Sequence, residues 1–233
     1  MIETPIATTS QEEMLFQLLG GYDKNYTYII GCKTTKELAL VDCAAPFKMI
    51  DNKIQELVKE GYKLTKIFLT HAHHDHVFSL KEIFAKYIPL VLAHPLEFER
   101  VKRLSGVEIK NFIEDRIPLQ LGEERLLPIY TPGHQNTCFC FLWRDKIFTG
   151  DTLFIDGCGR CNFPESNIYD QLESMKLIAN ELDDTLEVLP GHAYGSVDKS
   201  TIGREKQDNK YLVGLQKHLI TPEIEKYWIE LRS

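Results

Sequence analysis

The chain has 233 residues, 43% apolar and 26% charged, the balance of an ordinary globular protein long enough for one core, or at most two. Lys and Arg number 27 against 34 Asp and Glu, so the net charge is −7, which argues against nucleic acid or an anionic membrane as a partner. Met1–Gln11 has neither a basic n-region nor an apolar h-region, and apolar runs such as Thr137–Trp143 are far too short to span a bilayer. A cytoplasmic protein with reduced thiols is therefore expected.

The first elements read as strands. Met14–Leu19 is apolar, Gly20-Gly21 turns, Asn25–Ile30 is aromatic and β-branched, and Leu38–Val41 follows a short polar turn. The period then changes: Phe47, Ile50, Ile54, Leu57 and Val58 recur at helical spacing between Pro46 and Gly61. Leu64–Thr70 reads as a strand, Leu80–Tyr87 as a helix, Leu90–Ala93 as a strand and Leu96–Leu104 as a helix. Four short apolar segments, 117–121, 126–131, 137–143 and 146–149, predict an antiparallel meander. Ile168–Leu182 is helical by period, Leu186–Leu189 is a strand, and the tail predicts helices over Thr201–Gln216 and Pro222–Leu231. This order predicts a layered α/β fold with two sheets in one domain, and does not fit a strict βαβ alternation.

The chemistry concentrates after the strand that ends at Thr70. His71-Ala72-His73-His74-Asp75-His76 packs four of the chain's eight histidines and an aspartate into six residues. Imidazole is the commonest protein metal ligand and carboxylate its usual companion on zinc or iron. Three single residues join them by position: His134 in Thr131-Pro132-Gly133-His134, Asp151 in Gly150-Asp151-Thr152, and His192 in Pro190-Gly191-His192. Each closes an apolar strand, and strand ends on one rim of a sheet converge on a cleft. Five His and two Asp suit two adjacent metals with one shared carboxylate. The cysteines read otherwise: Cys138 and Cys140 as buried small hydrophobes, Cys158 and Cys161 as a lone CxxC without a second pair to complete a zinc site. His74 is a spacer, His94 a strand-end surface residue and His218 a solvent-facing helix residue.

The HxHxDH run, followed in order by a single His, Asp and His, resembles the metallo-β-lactamase superfold over about residues 14–212. The resemblance implies an αββα sandwich, two mixed sheets flanked by helices, with a metal site on one edge between the sheets. It implies that His71, His73 and His134 hold a first metal, that Asp75, His76 and His192 hold a second, and that Asp151 bridges them. Zinc is the first choice of ion, with iron or manganese as alternatives. Gly150-Asp151-Thr152-Leu153-Phe154, Gly157-Cys158-Gly159-Arg160, and the stretch from Gly191 to Asn209 resemble the glyoxalase II branch and its shorter relatives. That branch hydrolyses glutathione thioesters, and short hydrolases of this type also accompany polyketide pathways. Only 41 residues follow His192, so a full glyoxalase II C-terminal domain is not expected.

The implied activity is thioester hydrolysis by a hydroxide shared between two divalent metals, with Asp75 and Asp151 as catalytic carboxylates. The thiol would belong to glutathione, coenzyme A or a carrier protein. Arg160 is the candidate for an anionic group of the substrate and Tyr194 for an oxyanion contact. The pattern Gly157–Phe163 is also close to that of persulfide dioxygenases, which use one iron held by two His and one Asp. A lactonase on the same ligand set is a weaker alternative.

Overall fold

The computed structural model describes residues 13–216. The first sheet orders β1 (Leu15–Gly20), β2 (Asn25–Cys32), β3 (Glu37–Val41), β4 (Lys63–Phe68), β5 (Leu90–Ala93) and β6 (Asn111–Phe112) as neighbours. Its first three strands are antiparallel, and β3 to β6 are parallel. The second sheet runs β11 (Glu187–Pro190), β10 (Lys146–Gly150), β9 (Phe139–Trp143), β8 (Glu124–Tyr130) and β7 (Leu119–Leu121). The predicted meander forms β7 to β10, and β11 adds to it in parallel.

Strand alternation makes the layers. In β3, Leu38 and Leu40 join one apolar cluster while Ala39 and Val41 join another; in β9 and β10, Leu142 and Ile147 part from Phe141, Trp143 and Phe148 in the same way. Because successive side chains point to opposite faces, each sheet is apolar on both sides. One outer cluster packs the first sheet on α1 (Phe47–Lys59), α2 (Leu80–Tyr87) and α3 (Phe98–Ser105). The other packs the second sheet on α4 (Ile168–Glu181), α5 (Ile202–Asp208) and α6 (Lys210–Gln216). Between the sheets lie Tyr28, Ile30, Phe68, Phe141, Trp143 and Phe148, so the fold is an αββα sandwich.

Two predicted elements differ. Residues 201–216 form two helices rather than one, because buried Asn209 leaves the helical conformation (ψ 111°) and its Nδ2 donates to the carbonyls of Phe154 and Gly157. The helix expected from Leu96 begins as a 3-10 turn at Pro95–Glu97, with the His94 ring nitrogen accepting the Leu96 N–H. His94 is half-buried and stacks on Tyr130. The helix at 222–231 and His218 lie outside the described residues. No helix among the described residues is long and apolar enough to cross a membrane.

Two backbone bonds between the sheets, Phe139 N–H to the Thr70 carbonyl and Tyr26 N–H to the Gly191 carbonyl, close one edge. The C-terminal ends of β4, β8, β10 and β11 lie there, each followed by candidate ligands.

Candidate metal centre

The loop after β4 turns through His71–Ser79, held by the His76 N–H on the His73 carbonyl and the Cys43 N–H on the His76 carbonyl. His134 follows β8, Asp151 follows β10 and His192 follows β11. Two glycines let these loops close in. A Cβ on Gly191 would lie 2.4 Å from Asp151 Oδ1, and one on Gly159 would lie 2.0 Å from the Asp151 carbonyl and 2.8 Å from His134 Nδ1. A side chain at either position would force the ligands apart.

The seven residues meet in two groups. His71 Nε2 and His134 Nε2 lie 3.1 and 2.9 Å from His73 Nδ1. On the other side, His192 Nε2 lies 3.4 Å from His76 Nε2 and 3.5 Å from Asp75 Oδ2. Asp151 stands between, with Oδ1 3.2 Å from His76 Nε2, and Oδ2 3.4 Å from His134 Nε2 and 3.3 Å from His192 Nε2. The ligand atoms of His71, His73 and His134, of Asp75, His76 and His192, and of His71, His76 and Asp151 each lie within 4.8 Å of one another.

The outer nitrogens decide which ring atoms face inward. His134 Nδ1 donates to the Arg160 carbonyl and His192 Nδ1 to the Asp23 carbonyl, both at 2.7 Å, since a carbonyl can only accept. Thr70 Oγ1 donates to Asp42 Oδ2, so it accepts from His71 Nδ1 at 3.1 Å. In the neutral ring these bonds place the proton on Nδ1 and leave Nε2 of all three rings aimed into the site as the ligating atom. His73 Nδ1 can satisfy only one of its two neighbours. Asp151 Oδ1 and His73 Nε2 are buried with no hydrogen-bond partner. Bare lone pairs crowded at this distance repel, and a cation relieves them, so this donor set fits divalent metal ions, with ligands enough for two.

Electrostatics divides the groups. Burial, followed by the neighbouring His76, holds His71 well below the ordinary imidazole value, and burial with His134 lowers His73 to about 3. Burial also lowers His134, although Asp151 pulls the other way. Burial opposes charge on His76 as well, but Asp151 and Asp42 outweigh it and raise this histidine; Asp151 does the same for His192. Asp151 is buried yet stays well below the usual carboxylate range because His76 and His192 face it.

A cleft of about 500 Å³ opens beside the site, lined by His73, His134, Asp75, Asp151 and His192, and by Arg160 and Tyr194. The Arg160 guanidinium lies 4.5 Å from the Phe163 ring centroid. Tyr194 stacks on His192 at 4.7 Å and donates its hydroxyl to Asp23 Oδ2 at 2.5 Å, a bond that an oxyanion contact would have to replace. His74 is exposed at the rim, edge-on to Tyr22. Cys138 and Cys140 are buried, and Cys158 is a buried part of the cleft wall.

The residues that sequence reasoning missed stand behind the ligands. Asp42, buried after β3, binds His76 Nδ1 at 2.8 Å and accepts the Thr70 N–H and hydroxyl. Asn25 donates to Asp75 Oδ2 at 2.8 Å. Glu97, buried beneath the loop, accepts the Ala72 N–H and the Thr137 hydroxyl. Asp42 carried the same signal as Asp151, an acidic residue closing an apolar strand.

Comparison with known proteins identifies the family. The family model of the metallo-beta-lactamase superfamily matches residues 20–192. The chain is 30% identical over 189 residues to the probable polyketide biosynthesis zinc-dependent hydrolase PksB of Bacillus subtilis, covering 80% of this chain and 81% of that protein. It is 31% identical over 178 residues to the probable hydroxyacylglutathione hydrolase glo2 of Schizosaccharomyces pombe, covering 75% of this chain and 66% of that one. Among solved structures, ETHE1 from Myxococcus xanthus superposes with a TM-score of 0.75 at 24% identity, covering 90% of this chain and 92% of that one.

Proposed function

We propose that this chain, which belongs to the metallo-beta-lactamase superfamily, is a hydrolase of thioesters that works with two divalent metal ions, zinc by preference. The observation that carries the reading is the set of seven converging donors, with buried polar atoms left unsatisfied, on the floor of an open cleft. His71, His73 and His134 would hold one ion, Asp75, His76 and His192 the other, and Asp151 would touch both. Bound divalent metals polarise a carbonyl and lower the pKa of water from 15.7 toward about 7, so a nucleophile exists at neutral pH.

The chain's own residues do the rest. Asp75 is half-wrapped by Asn25 and His192, and although burial opposes ionisation, His76 and Asn25 keep it below the usual carboxylate value. An ionised carboxylate at the cleft floor orients the attacking water and takes its proton. The water oxygen joins the acyl carbon, the carbon–sulfur bond breaks with its electron pair on sulfur, and the proton held at Asp75 passes to the thiolate. A thiol pKa of about 8.5 makes sulfur a good leaving group without a strong acid beside it. Phe154 and Phe163 line the cleft with apolar surface for the acyl chain, and Arg160 meets an anionic part of the substrate.

The test is a panel of lactoylglutathione, acyl-coenzyme A and acyl-pantetheine, with metal content measured on the same sample. Two divalent ions per chain with hydrolysis of at least one thioester is the expected result. One iron per chain, with oxygen consumed on glutathione persulfide and no thioester turnover, would overturn it in favour of a dioxygenase.

A further inference from the structure

The basic side chains around the cleft are not equivalent. On α5, Arg204 is paired with Asp156 at 2.8 Å and with Glu205 at 2.7 Å, and Lys206 is paired with Asp184. Lys210 and Arg160 both line the cleft and are exposed, and neither has an acidic partner among the described residues. Each rests against an aromatic ring instead: Lys210 Nζ is 5.4 Å from the Tyr211 centroid, and Arg160 Cζ is 4.5 Å from that of Phe163. The acidic groups of the cleft are engaged elsewhere, Asp156 by Arg204 and Ser196, Asp23 by Tyr194 and Asp75 by Asn25.

Asn209 joins the start of α6, which carries Lys210, to the loop that leads to Arg160. Its side chain donates to the carbonyls of Phe154 at 3.3 Å and Gly157 at 3.0 Å, on the loop that continues to Arg160. Lys210 is the next residue after this anchor. In a chain of net charge −7, two cations in one cleft with no acidic partner among the described residues suit an anion.

Resting on the thioester reading above, we propose that Lys210 and Arg160 form a phosphate subsite, so that the thiol is an arm of the phosphopantetheine type. The phosphate of such an arm is a diester on a carrier protein and part of a diphosphate in coenzyme A; in both, its anionic oxygens meet the two cations, a group that pantetheine lacks. The planar guanidinium supplies paired donors to two phosphate oxygens, and the ammonium adds a point charge. The aromatic rings back both groups and limit the freedom lost on binding. Coenzyme A and a carrier-borne arm share this phosphate.

Calorimetry on the metal-loaded protein with phosphopantetheine, pantetheine and glutathione tests the subsite without turnover. Phosphopantetheine is expected to bind at least about tenfold tighter than pantetheine, as one charge-assisted contact implies. Lys210→Glu should abolish that preference while metal content stays at the wild-type level, and Lys210→Arg should restore most of it. In turnover, Lys210→Glu should raise KM for acyl-phosphopantetheine far more than for acyl-pantetheine, and comparing acyl-coenzyme A with an acyl carrier protein identifies which source of the arm is preferred. Equal binding of phosphopantetheine and pantetheine, or tightest binding of glutathione, would overturn the subsite. A preserved phosphate preference with no thioester hydrolysed would sink the hydrolase reading and leave the subsite standing.

Discussion

His71, His73 and His134 meet as three neutral imidazoles, whereas Asp75, His76 and His192 meet around negative charge, with Asp151 reaching both groups. In the first group burial depresses every ring, and affinity for a cation rests on the direction of lone pairs. In the second, Asp151 with Asp42 raises His76, and Asp151 with the Asp23 carbonyl raises His192, so a metal there replaces protons that the carboxylates already attract. On the two-metal reading, the two groups on one sheet edge would hold metal in different ways, and the residue they share should matter most.

Asp151→Ala tests that shared role and carries the largest expected effect. It would remove one ligand from each side and take away the carboxylate that stands between His76, His192 and His134. Metal content is expected to fall from two to less than one per chain, and kcat/KM by at least about 10³-fold, the equivalent of several kcal/mol of lost charge stabilisation. Two metals retained with full turnover would remove Asp151 from both groups.

Asp42→Asn comes next. Asp42 binds His76 directly and steadies His71 through the Thr70 hydroxyl, so it lies behind one ligand from each group. The amide keeps the shape and loses the charge. An outer partner of this kind is worth about 10–100-fold in metal affinity. The loss should be greater for the second group, where the contact is direct; titrating zinc into the metal-free variant separates the two binding steps. An equal loss at both steps would mean that Asp42 acts through the fold of the loop rather than through His76.

The sandwich was legible because nearly every strand alternates between two apolar faces or closes on a turn residue, and the helices carry clear periods. The candidate site was legible because the histidines of one loop sit in a single run and three later candidate donors each end a strand. The backing residues were not, for a physical reason. Asp42, Asn25 and Glu97 lie in three separate segments, and only the packing of β3, β2 and the 3-10 turn at Pro95–Glu97 brings them under the loop. The break at Asn209 escaped the helical period because its cause is a pair of carbonyls more than fifty positions earlier in the chain. Two-residue β6 carries no periodic signal of its own.

Glu97 sharpens the comparison from the side of the three histidines, with the smallest expected effect. It is 1% exposed, holds the Ala72 N–H between His71 and His73, and has Arg100 Nε 3.3 Å from its Oε2. Burial raises its carboxyl above the ordinary value, and the Thr137 hydroxyl and Arg100 offset only part of that. The unfolded chain therefore loses this proton at a lower pH than the folded one. Between those two values the folded protein binds more protons, and the stability this group contributes falls as pH rises. Glu97→Gln has no proton to lose. The gap in melting temperature, wild type minus variant, should therefore be larger at pH 4.5 than at pH 8, and 1 kcal/mol corresponds to about 2–4 °C for a chain of this size. Both metals should remain in the variant, because the amide oxygen can still accept the Ala72 N–H. A gap that does not change with pH would show that Arg100 neutralises Glu97 fully, and that the loop under the three histidines is held by an ion pair rather than by a carboxyl strained by burial.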